Sequence, residues 1–152
     1  MNAEPLPAVA VRIVVGYDGS PPADRALDAA VRLLQGRTGG ITAVYVAHMT
    51  STAMLSADAI VEIENDFDQV EKELRTAVGE RLRGHVDDWS LERRQGQIPH
   101  ELIAVADEVH SGHPDDTVVI VVGSSSSAVH RMVGSVPVNL ARHSAFPLVI
   151  VP

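Results

Sequence analysis

The stretch that most constrains this chain is Thr117 to Val122, where a single threonine is followed by an unbroken run of Val and Ile. A strand with one wet face alternates apolar and polar side chains, and this segment has no polar face to offer water. It therefore belongs near the middle of a sheet covered by helices on both sides. Val11 to Val15 is a second β-branched run, broken only by Arg12, and it stops at Gly16-Tyr17-Asp18-Gly19-Ser20 as a buried parallel strand followed by a turn does. Ile41 to Ala47 and Phe146 to Pro152 also read as strands. Trp89 to Arg94 alternates weakly and fits an edge, where its charges discourage unwanted pairing.

The intervening segments have helical spacing. Ser20-Pro21-Pro22 supplies an N-cap followed by prolines suited to a first turn. Ala26, Leu27, Ala30, Val31 and Leu34 then recur on one face, and Gly36 offers a stop. From Ala57 to Leu82, the residues Ile60, Ile63, Phe67, Val70, Leu74, Val78 and Leu82 form one stripe, for which core packing is the simplest account. Pro99 opens a third helix to Val109, with Leu102, Ile103, Val105, Ala106 and Val109 inward. Ser135 to His143 forms a short fourth helix around Val136, Leu140 and Ala141. Strands alternating with helices imply an α/β fold: a five-stranded parallel doubly wound sheet with right-handed crossovers and helices on both faces. The length, 152 residues, suits one domain over 11–152, with residues 1–10 as a flexible lead-in.

Composition narrows the functions. Only 3% of residues are aromatic, so the core must be built from Val, Ile, Leu and Ala. With no cysteine there is neither a disulfide nor a thiolate metal site. A formal charge of −8 argues against nucleic acid as a partner, because affinity for phosphate backbones comes from Lys and Arg displacing counterions. Met1 to Ala10 has neither the basic start nor the apolar run of a signal or membrane anchor, so no membrane association and a cytoplasmic location are expected.

In a doubly wound sheet, ligands bind beyond the carboxyl ends of the strands, where connections leave for opposite faces. This selects three loops: Gly16 to Ser20, Ala47 to Thr52 and Gly123 to Ser135. The last begins with Gly123 and four serines, Ser124 to Ser127, and ends with Gly134-Ser135 before a helix. Glycine turns and helix starts present free N–H groups to an anion, and serine hydroxyls add donors. The competing reading is a solvent loop with Ser135 as a helix cap.

Ile13 to Ser20 with Ala26-Leu27 beyond it, then Val121-Val122-Gly123, Gly134-Ser135-Val136 and Pro147 to Val151, together resemble the universal stress protein family over nearly the whole chain. The resemblance implies strand order 3-2-1-4-5 and a homodimer formed through the last strand. It also implies an adenine nucleotide, ATP with Mg²⁺, as the bound cofactor of a stress-response regulator. Nucleotide-binding members use G-x-x-G, nine residues, then G followed by Ser or Thr. Gly123 matches the first glycine and Gly134-Ser135 the final pair, while Asp18 matches the aspartate near the ribose and phosphates. Val46 falls near the second-strand residue that contacts adenine. The candidate binding set is Gly16, Asp18, Val46, Gly123, Ser124, Ser126, Arg131, Gly134, Ser135 and Val136. The sequence departs from the pattern in two places: Ser126 stands at the second glycine, and Gly134 comes two residues early. The alternative consistent with these departures is a nucleotide-free dimeric interaction protein of the same fold.

Other clusters carry less. His110, His113, Asp115 and Asp116 could be read as metal ligands, but histidines at a helix end more often meet terminal carbonyls and solvent. His130 and Arg131 lie in the serine loop, where the permanent charge of Arg131 makes it the better anion partner. Ser20 and Ser135 are better explained as caps than as nucleophiles, and no G-x-S-x-G elbow occurs. Catalysis is at most a slow ATP hydrolysis supported by Asp18 and Mg²⁺.

Overall fold

The computed structural model describes residues 8–48, 54–124 and 136–152. Its elements run β1 (Val11–Gly16), α1 (Pro21–Leu34), β2 (Gly39–Ala47), α2 (Ala57–Leu82), β3 (Trp89–Gln95), α3 (Ile98–Gly112), β4 (Thr117–Gly123), α4 (Val136–His143) and β5 (Leu148–Val151). All pairings are parallel, and the sheet order is β3-β2-β1-β4-β5. This is the architecture expected from the residue pattern and the strand order that the family resemblance implies.

Period-two alternation in β1 splits the interior into two layers. Ile13, Val15 and Tyr17 join Ala26, Leu27 and Ala30 of α1 and Leu74, Val78 and Leu82 of α2 on one face. Val14 joins Val44, Leu102, Val105, Ala106 and Leu140 on the other, under α3 and α4. In β4, Ile120, Val121 and Val122 are all buried, as a strand covered on both faces requires. No polar or charged residue is fully buried among the described residues, so the layers are held by aliphatic packing.

Local signals explain the boundaries. Ser20 caps α1, its hydroxyl accepting from the Ala23 N–H at 3.4 Å, and Gly36 takes the positive φ of 73° that ends it. Ser56 caps α2 through the Ala59 N–H at 3.2 Å. Helix α3 runs three residues beyond Val109, through Gly112, with the Ser111 hydroxyl bonded back to the Asp107 carbonyl.

The long helix departs from expectation in its packing. Its buried residues are Leu74, Val78 and Leu82 alone, while Ile60, Ile63 and Phe67 of the same stripe pack against neither core. The carboxyl half of α2 is fixed to α1 by charge: Arg81 meets Asp28 at 2.9 and 3.0 Å and Asp24 at 3.1 Å. Arg12, at the amino end of β1, bridges Asp88 and Asp116 and so ties together the chain entries to β3 and β4.

Candidate functional site

The strand order reverses between β1 and β4. The connection from β1 goes to α1 on one face, and β4 leads to α4 on the other. In doubly wound sheets ligands bind at the carboxyl ends of the strands flanking such a reversal, which makes this the candidate site.

On the β1 side, Gly16 ends the strand, Tyr17 turns inward and Asp18 is exposed. One Asp18 carboxylate oxygen accepts the Ser20 N–H at 3.0 Å, closing a local turn, and the other makes no bond to a described residue. Gly19 allows that turn with φ of 78°, and a Cβ there would come within 2.9 Å of a Leu74 methyl. The start of α1 is poor in donors. Pro21 and Pro22 have no N–H, and the Ala23 N–H is taken by Ser20. This turn therefore offers a carboxylate acceptor, which suits sugar hydroxyls, and little that would hold an anion.

On the β4 side, Gly123 is packed tightly. A Cβ at this position would lie 2.1 Å from the Pro22 carbonyl oxygen, so only glycine lets β4 end flush against the first turn of α1. The Ser124 N–H is already committed to the Val151 carbonyl at 2.8 Å, which closes β4 against β5. Gly16 and Val46 point to the α3 face, as does Val136 at the start of α4. Val46 lies two residues beyond Val44, the β2 partner of Gly16. A Cβ on Gly16 would meet a Leu102 methyl at 3.3 Å and Val122 at 3.5 Å. The structure thus gathers Gly16, Asp18, Gly123 and Ser124 around the β1 and β4 ends, with Val46 and Val136 on one face nearby. Ser126, Arg131, Gly134 and Ser135, together with His130, lie outside the described residues.

Beneath Asp18 is a network that sequence reading missed. The Tyr17 hydroxyl donates to Asp24 at 2.8 Å, and Asp24 is also paired with Arg81. Burial, reinforced by that hydrogen bond, pushes the Tyr17 phenol up to about 12. The available signal was the pair of acids Asp24 and Asp28, one helical turn apart, facing an arginine on a neighbouring stripe. At the opposite end of the sheet, a cleft of about 300 Å³ is lined by Arg12, Thr42, Ser90, Glu92 and His113 among others. Its charges are largely satisfied internally: Arg94 bridges Glu92 and Glu108 and holds the Glu108 carboxyl below its ordinary value. His110 sets its ring edge-on to Phe146 at 5.8 Å, and His113 stands 3.7 Å from Asp116. No group of three or more such side chains is placed to hold a metal among the described residues.

The sequence model of the Universal stress protein family matches residues 11–152. The chain belongs to that family. Among solved structures, it is similar to a universal stress protein in complex with cAMP, at 25% identity, covering 96% of this chain and 99% of that one with a TM-score of 0.67. Universal stress protein UspA from Lactobacillus plantarum shares the fold at 19% identity, with 96% and 100% coverage and a TM-score of 0.72. A family member from Burkholderia pseudomallei does so at 23% identity, with 97% and 99% coverage and a TM-score of 0.61. No curated protein sequence matches this chain. No described helix of this universal stress protein is long and apolar enough to cross a membrane.

Proposed function

We propose that this chain binds an adenine nucleotide at the β1–β4 crevice and serves as a cytoplasmic stress-response regulator built from a single domain. The observation that carries the reading is Asp18: an exposed carboxylate fixed by its own turn at the point where the strand order reverses, with one oxygen unbonded among the described residues. The universal stress protein that holds cAMP, 25% identical over nearly the full length, supports an adenine nucleotide as the ligand class. In this reading Asp18 accepts from ribose hydroxyls. Gly16, Val46 and Val136 leave an apolar slot for the base, and the segment from Ser124 through Ser126, Arg131, Gly134 and Ser135 meets the phosphates. Mg²⁺ accompanies a triphosphate. The protein acts by binding, with any hydrolysis slow.

The functional unit is a homodimer. β5 is an edge strand, its apolar run LVIV includes Ile150 at 46% exposure, and its outer backbone groups are unpaired within the sheet. Calorimetric titration of ATP with Mg²⁺, and separately of cAMP, into ligand-free protein tests the reading. Asp18→Asn keeps an acceptor for the Ser20 N–H but removes the charge, and it is expected to weaken binding roughly tenfold, in line with a charge-assisted hydrogen bond. Absence of saturable binding for both ligands, with sedimentation still showing a dimer, would replace this reading with a nucleotide-free interaction protein.

A further inference from the structure

Helix α2 is longer than the sheet it covers. Its 26 residues span about 39 Å at 1.5 Å each, whereas β2 and β3 cover about 30 and 23 Å. The surplus is at the amino-terminal end, where Gln95, the last residue of β3, already reaches Glu64 at 3.2 Å. The apolar stripe nonetheless continues through Phe67, Ile63 and Ile60, none of which joins either core. These three are partly buried, while Met54, just before the helix, at 96% exposure and Val61, a quarter-turn round from Ile60, at 59% stand in solvent.

The surroundings of this stripe carry one sign of charge. Between Ala57 and Val70, α2 has Asp58, Glu62, Glu64, Asp66 and Asp68 and no lysine or arginine. Arg93 answers Asp68 at 2.6 Å and Glu64 at 3.6 Å along the side facing β3. The row Asp58, Glu62 and Asp66, spaced four apart, has no ion pair among the described residues and is exposed to solvent. We propose that this end of α2 is a docking surface for a cationic amphipathic helix of a partner protein. Such a helix would complete the burial of Ile60, Ile63 and Phe67 with its own apolar stripe and set Lys or Arg against Glu62 and Asp66. A second copy of the same face would bring acid against acid, and an anionic bilayer would be repelled.

The test uses the full chain and a fluorescein-labelled synthetic peptide of about 18 residues, leucine and lysine at helical spacing, followed by fluorescence anisotropy. Saturable binding is expected, weakening as salt rises. Glu62→Lys with Asp66→Lys, exposed changes that leave the core untouched, should weaken binding roughly tenfold or more and flatten its salt dependence. Phe67→Asp should do the same with unchanged circular dichroism. Three results would each overturn the proposal: no saturable binding, equal binding of a leucine–glutamate peptide, or unchanged affinity in the doubly reversed variant. So would self-association, seen by sedimentation, that Phe67→Asp abolishes, since the face would then belong to a second copy.

Discussion

Tyr17 gives this fold a measurable alkaline weakness. Its phenol is 3% exposed, donates to Asp24 and titrates at about 12 against an ordinary 10.0. The folded state thus favours the neutral form. The stabilisation is complete below the unfolded value near pH 10 and is lost as pH climbs toward 12. Two pH units at ~1.36 kcal/mol each give a loss of roughly 2–3 kcal/mol over that window, a sizeable share of a typical domain's ~5–15 kcal/mol. The background is quiet, because the sequence has two tyrosines, one lysine and no cysteine. Tyr17→Phe removes the titration together with one hydrogen bond worth about 1 kcal/mol. The wild type should therefore be the more stable at pH 8 and the less stable at pH 12, with the two curves crossing in between. Guanidinium unfolding at half-unit pH steps, read by the fluorescence of Trp89, measures both. Parallel curves for the two proteins from pH 9 to 12 would refute the reasoning, as would a native tyrosinate absorbance in which both phenols ionise near pH 10.

Two further substitutions probe the scaffold. Gly123→Ala places a methyl 2.1 Å from the Pro22 carbonyl oxygen, so the first turn of α1 must move away. A cost of about 2–3 kcal/mol in chemical unfolding is expected, and a neutral result would mean this contact is not fixed. Arg81→Leu leaves Asp24 and Asp28 facing each other on α1 and should cost about 1 kcal/mol at low salt, discounted because the arginine is about a third exposed. Raising the salt should shrink that difference.

Most of the fold was legible because its signals are local. The all-apolar run in β4 demanded two covered faces, and the stripe from Ile60 to Leu82 marked α2 at its observed bounds, Ala57–Leu82. What lies opposite that stripe was not legible. Periodicity identifies which face of a helix is apolar, and only the strand lengths in three dimensions reveal that the sheet ends before the helix does. The hydrogen bond of Tyr17 to Asp24 escaped notice for a related reason: an inward tyrosine on an otherwise aliphatic strand reads as one more core residue. Within the candidate site, the Gly16 to Ser20 turn was legible from the end of β1, while Asp18 was singled out by the family resemblance. The packing role of Gly123 was not, since it depends on Pro22, a hundred residues earlier in the chain.

That packing role decides how the nucleotide reading should be tested. Loss of ligand in Gly123→Ala would have two origins, a lost phosphate contact or a displaced α1, and binding alone cannot separate them. Asp18→Asn avoids this, because the bond from Ser20 survives in the variant. The proline-rich start of α1 adds a second lever: with Pro21 and Pro22 lacking N–H groups and Ala23 capped, the proposal assigns the phosphates to the β4–α4 side. On the proposed nucleotide reading the sugar and the phosphates are read by separate elements, and separate contacts add in free energy. Comparing adenosine with ATP in the wild type and in Asp18→Asn makes a four-way cycle. Asp18→Asn should weaken both ligands by the same factor, to within about 0.5 kcal/mol. A much larger loss for ATP than for adenosine would mean that Asp18 acts on the phosphates, through Mg²⁺, and the division of labour between the two strand ends would fall.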